Sequence, residues 1–126
     1  MHMQNKLALN DSNEDKKTIT FTINKEIKEK LKEILIKDKN YNLKMKSNWI
    51  NEAIAILRSN PDYREMVCSA EGKNDDFVFD KFYMTFQQRC LFSEMRNEVV
   101  KTFPDIRGPQ GAIIRAAILS RIMRKS

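Results

Sequence analysis

The stretch TITFTIN, from Thr18 to Asn24, sets Ile19, Phe21 and Ile23 against Thr18, Thr20 and Thr22 in strict alternation. A period of two sends apolar side chains to one face and short hydroxyls to the other, so the stretch reads as a half-buried strand. A second one, DKFYMTF from Asp80 to Phe86, sets Phe82, Met84 and Phe86 against Lys81, Tyr83 and Thr85. Helical patterns succeed both strands. A lone strand cannot be covered at both edges by the helix that follows it, so the first strand is expected to lie beside the second with polar faces outward.

After the first strand, Asn24 suits an N-cap and Glu26 a first helical turn, where a carboxylate complements the helix dipole. Ile27, Leu31, Ile34 and Leu35 then recur at helical spacing to about Lys37. KDKNYNLKMK is a polar connection. Ser47 is expected to cap a second helix whose inward residues are Trp49, Ile50, Ala53, Ile54 and Leu57, fading near Ser59. Pro61 fits the opening of a further turn or two through DYREMVCSAE, and EGKNDD reads as a loop.

The second half repeats the order. The strand Lys81 to Phe86 leads to a helix from about Gln88 to Thr102 with Leu91, Met95, Val99 and Phe103 inward. FPDIRGPQG connects it to a last helix, about Gly111 to Arg124, that buries Ile113, Ile114, Ala117, Ile118 and Ile122. Sliding the halves over each other aligns Thr22 with Thr85, an offset of 63, and Trp49 to Ile54 with Ile113 to Ile118, an offset of 64. A duplicated unit with one residue gained inside it accounts for both. The expected organisation is an arm over residues 1–16, a first motif over 17–59, a connector over 60–79 and a second motif over 80–126, with 17–126 forming one domain.

Composition sharpens this picture. With 126 residues and 41% hydrophobic content the chain has enough apolar mass for one core. The net charge of +6 is unevenly spread: residues 1–60 hold twelve Lys/Arg against eight Asp/Glu, 61–80 hold two against six, and 81–126 hold nine against three. Two basic lobes flanking an acidic connector point to an anionic partner. Cys68 and Cys90 make neither a disulfide framework nor a metal-ligand spacing, so no cofactor or metal is expected. His2 is the only histidine, and the opening Met-His-Met reads as a cloning remnant. No apolar run approaches the roughly 20 residues a membrane span needs, and no signal-peptide core is visible, so a cytoplasmic location is expected.

The residues KKTITFTINKEIKEKL followed by KSNWINEAIAIL give this chain a resemblance to the ribbon-helix-helix family of DNA-binding proteins, the class of the Arc, MetJ and CopG repressors. The resemblance covers residues 16–58. Residues 80–124 show the pattern with departures: Gln87 and Gln88 stand at the usual proline or serine and acidic positions, Cys90 takes an apolar helix position, and GPQG replaces the serine cap. Members usually carry one motif and dimerise. Two motifs in one chain resemble the fused form among TraY-like conjugation and T-DNA-transfer accessory proteins. The implied fold is mainly α with a small two-stranded antiparallel β-ribbon, β-α-α twice, forming an intrachain pseudo-dimer. The implied partners are double-stranded DNA and other DNA-processing or transfer proteins, with a monomer that assembles further on DNA.

The resemblance implies that the ribbon enters the major groove, which is about 12 Å wide and admits two strands. Thr18, Thr20, Thr22, Lys81, Tyr83 and Thr85 are then the base readers. Helix amino ends present free N–H groups to phosphate, which marks Lys46, Ser47 and Asn48 in one half, and Arg107, Gly108, Gln110 and Gly111 in the other, as backbone clamps, with Lys16 and Lys17 ahead of the first strand. The expected role is sequence-specific binding in conjugation, DNA transfer or repression. Catalysis is not expected, because no nucleophile has a base beside it and the carboxylates are scattered. The competing class is a protein-interaction adaptor, such as an antitoxin, partition or relaxosome component, and salt-dependent binding of random duplex separates the two.

Overall fold

The computed structural model of the chain describes residues 16–37, 41–71 and 76–125. Apart from Lys16, the expected N-terminal arm lies outside the described residues, as does His2. The elements run β1 (Lys17–Asn24), α1 (Lys25–Lys37), α2 (Leu43–Arg58), α3 (Tyr63–Ser69), β2 (Phe77–Met84), α4 (Phe86–Thr102) and α5 (Pro109–Lys125). The fold is mainly helical with a small two-stranded sheet.

β1 and β2 pair antiparallel, with Thr20 facing Lys81 and Phe21 facing Asp80. Phe21, Ile23, Phe82 and Met84 turn into the core, where the rings of Phe21 and Phe82 meet edge to face at 5.6 Å. The helices supply the rest. Leu31 and Leu35 of α1, Trp49, Ile50, Ala53, Ile54 and Leu57 of α2, and Ile113, Ile114, Ala117, Ile118 and Ile122 of α5 are all buried, and they belong to one cluster with the inner face of the ribbon.

Local chemistry sets the element ends. Asn24 accepts from the Glu26 N–H at 2.8 Å and starts α1 at the last residue of the strand. Thr85 forms a capping box with Gln88, each side chain accepting from the other's backbone N–H. Gly108, at φ +53, makes the turn into α5, a conformation that costs other residues a steric clash, and Pro109 comes next at the first helical position.

Several expected boundaries are corrected. β2 occupies Phe77–Met84 rather than running to Phe86, because the Thr85 capping box begins a helix where the alternation still continues. Phe86 is therefore exposed, and α4 starts there instead of near Gln88. On α4 it is Phe92 that is buried beside Met95 and Val99, while Leu91 is half-buried. Ser47 does not cap α2. Asn42 does, accepting from the Met45 N–H at 2.8 Å, so the helix gains a full turn and Ser47 lies inside it. The expected connector is more structured than its polarity implies: α3 sends Tyr63 and Val67 into the core, and residues 77–79 belong to β2.

Candidate nucleic-acid interface

Opposite the core, the ribbon turns outward the cross-strand pairs Thr18 with Tyr83, Thr20 with Lys81, and Thr22 with Phe79, followed by Asn24 with Phe77 where α1 begins. Thr18, Thr20, Phe79 and Lys81 are exposed, or nearly so, and Thr22 and Tyr83 are half-buried. Five of the six expected base readers are thus brought together on one open face. Thr85 is not among them, since β2 ends at Met84 and Thr85 caps α4. Phe79 belongs to the face although the sequence places it in the connector; its FVFD neighbourhood carries the alternation, hidden behind acidic residues.

The outer edges of the two strands are closed by side chains from the helices. Ser47 Oγ accepts from the Tyr83 N–H, and Asn51 Nδ2 donates to the Tyr83 carbonyl, both at 2.8 Å. On the other strand, one guanidinium nitrogen of Arg115 donates to both the carbonyl and the hydroxyl of Thr22 at 3.1 Å, while Nε donates to the Ala70 carbonyl. Lys28 Nζ donates to the Phe79 carbonyl at 3.0 Å. Edge strands with free donors and acceptors invite pairing with other chains; here α2 covers the edge of β2 and α5 that of β1. The pairs on the outward face are therefore the narrow, non-hydrogen-bonded kind, in which facing side chains come closest.

Charge at the site is partly committed. Asp80 puts a carboxylate on the core side of β2, and Lys46 of α2 pairs with it at 2.7 Å, the two side chains being only 8% and 12% exposed. Burial lowers the pKa of Arg115, whose guanidinium also lies over the Phe77 ring at 4.9 Å. Trp49 is a core residue, as expected, with the Arg121 guanidinium over its ring at 4.5 Å, and its indole N–H has no acceptor among the described residues.

The expected phosphate clamps divide. In the first half the amino end of α2 is Leu43–Met45, one turn earlier than expected. Lys46 is consumed by Asp80, and Ser47 is buried against Tyr83 with its own N–H inside the helix. Asn48 stays exposed, and it lines a hollow with Lys16, Lys44, Asn51, Tyr83 and Gln88 beside the end of β2. Lys44 is exposed at the true amino end, and only the position of the Asn42 cap reveals it there. In the second half Gly108, Gln110 and Gly111 form the amino end of α5 and share a hollow with Thr20 and Arg96. Arg107 is exposed just ahead of them, its N–H donating to Glu71 at 2.6 Å. Lys16 and Lys17 are exposed at the entry to β1. The site accordingly places an open face, polar except for Phe79, beside two helix amino ends, each with an exposed cation near it.

Among the described residues no group of three or more His, Cys, Asp or Glu is gathered as a metal would require, and no helix is long and apolar enough to cross a membrane. Compared with models of protein families, with curated proteins and with solved structures, the chain finds no match in any of the three.

Proposed function

We propose that the chain is a sequence-specific duplex-DNA-binding protein of ribbon-helix-helix design, two β-α-α motifs fused into one pseudo-dimer, serving a mobile element in DNA transfer or repression. The observation that carries this reading is the uncovered outer face of the ribbon, with Thr18, Thr20, Lys81 and Tyr83 aligned in facing pairs and the helices packed on the opposite side.

Support for an internal two-fold comes from the strand edges. Asn51 and Arg115, 64 positions apart, donate to the carbonyls of Tyr83 and Thr22, 61 positions apart. Thr22 lies two residues past Thr20, and Tyr83 two past Lys81, so the pseudo-axis runs through the Thr20–Lys81 pair. The same offset of 61 relates Phe21 to Phe82, Asn24 to Thr85 and Leu31 to Phe92. On this reading the strands are offset by 61, where the sequence alone suggests 63, and three residues are gained between the first and second helices of the motif.

A β-ribbon of this kind suits the major groove, where threonine, lysine and tyrosine side chains can distinguish base edges. The helix amino ends and the cations beside them suit the flanking phosphates. Because the two strands present different residues, the preferred site is asymmetric. A selection from random duplexes tests this. An enriched sequence is expected, and Thr20→Ala and Tyr83→Ala should each flatten the preference at one position by about 1–3 kcal/mol. If both variants discriminate sites like the parent, the ribbon is not the reader. The adaptor reading has one favourable observation, the exposed Leu119 and Met123 one turn apart on α5; absence of any duplex binding at low salt would favour it.

A further inference from the structure

The outward face of the ribbon is chemically two-ended. Thr18 and Tyr83 at one end carry two hydroxyls, and Thr20 and Lys81 at the centre carry a hydroxyl and an ammonium. At the other end Phe79 is 72% exposed, the most exposed large apolar side chain among the described residues. Its partner across the strands is Thr22, whose oxygen already accepts from Arg115, and two residues away on its own strand Phe77 lies beneath that guanidinium.

A phenyl ring held in water adds nothing to the core. Phe79 is in a strand, its carbonyl is fixed by Lys28, and its facing partner is fixed by Arg115, so the ring is presented from a well-held backbone. In the major groove the one apolar group a base pair displays is the C5 methyl of thymine. We propose that Phe79 is a specificity-determining residue that reads thymine methyls, so that one half of the DNA site is selected by methyl contact and the other, under Thr18 and Tyr83, by hydrogen bonds. This rests on the duplex-reading ribbon proposed for the chain. It goes beyond that reading in naming what each end of the face recognises.

The test uses the full chain and the duplex it enriches from a random pool. Each thymine of that site is replaced in turn by deoxyuridine, which deletes the methyl and leaves pairing intact, and affinity is measured by fluorescence anisotropy. Loss of one buried methyl corresponds to about a fourfold weakening. That loss is expected at thymines confined to one half of the site, retained in Phe79→Leu and absent in Phe79→Ala. An enriched site that tolerates uracil throughout, or a Phe79→Ala variant with the parent's uracil sensitivity, overturns the role of Phe79 and leaves the ribbon reading standing. A Phe79→Ala variant altered only in self-association overturns it in favour of a contact between copies. Failure to enrich any sequence overturns both.

Discussion

Arg115 reaches Thr22 with a single guanidinium nitrogen, 3.1 Å from both the carbonyl and the hydroxyl oxygen, and so ties α5 to the edge of β1. A Cβ at Gly111 would sit 2.9 Å from that same nitrogen, so the absence of a side chain there lets the guanidinium lie across the helix. Arg115→Ala strips three acceptors, the Thr22 carbonyl and hydroxyl and the Ala70 carbonyl, of their donor. A loss of about 1–3 kcal/mol is expected in urea unfolding, and Arg115→Lys should not restore it, because an ammonium lacks the fork that spans both carbonyls. Gly111→Ala should reproduce part of the loss in the parent and none of it in the Arg115→Ala background. Additive effects of the two changes would argue against the coupling.

The Lys46–Asp80 pair is nearly buried, so removing one partner leaves an uncompensated charge. Lys46→Met is expected to cost about 3 kcal/mol, with most of that regained in Lys46→Met combined with Asp80→Val, whose side chains suit an apolar environment. Equal destabilisation by the single and double changes would show that the pair contributes something other than charge compensation.

Tyr63 of α3 is buried and donates to Glu98 of α4, and burial first, then the Glu98 hydrogen bond and charge, push its pKa up to about 12. The unfolded chain releases this proton near the ordinary value of about 10. The folded chain holds it, and stability therefore falls between about pH 10 and 12. Tyr63 should titrate near pH 12 in an alkaline absorbance titration, and Tyr63→Phe should remove that step. Persistence of the late step in the variant would assign it elsewhere.

The elements differ in how plainly the sequence declares them. The alternation in Thr18 to Asn24 and the inward positions of α2 and α5 are legible, because burial on one face leaves a strict period. The end of β2 is obscured because the alternation continues unbroken through Phe86; the deciding signal is the local pair Thr85 and Gln88 at capping-box spacing. Ser47 has the composition of a cap and the position of a buried residue, and only the facing strand, which offers the Tyr83 N–H, accounts for a hydroxyl in the core. Lys46 resembles a phosphate ligand in sequence because its partner Asp80 is 34 positions away, beyond what local pattern reveals. Phe79 escapes notice because acidic neighbours give its segment the look of a connector.

Phosphate contact makes affinity depend on salt. If six or more phosphates are neutralised, binding should weaken about a thousandfold or more between roughly 50 and 200 mM salt. Lys44→Ala and Arg107→Ala, each beside a helix amino end, should lower the slope of log affinity against log salt by about one apiece without changing the preferred sequence. Lys46→Ala should leave that slope unchanged, since its ammonium faces Asp80. A slope reduced by Lys46→Ala would assign Lys46 a phosphate contact in spite of its ion pair.

Whether the ribbon enters the major groove is open to direct chemical measurement. Dimethyl sulfate modifies guanine N7 in the major groove and adenine N3 in the minor groove, positions a bound protein shields only from the side it occupies. On the enriched duplex the chain should protect guanine N7 and leave adenine N3 reactive, and Lys81→Ala should release at least one protected guanine. Protection of adenine N3 with guanine N7 fully reactive would place the protein on the opposite groove and contradict a reading ribbon.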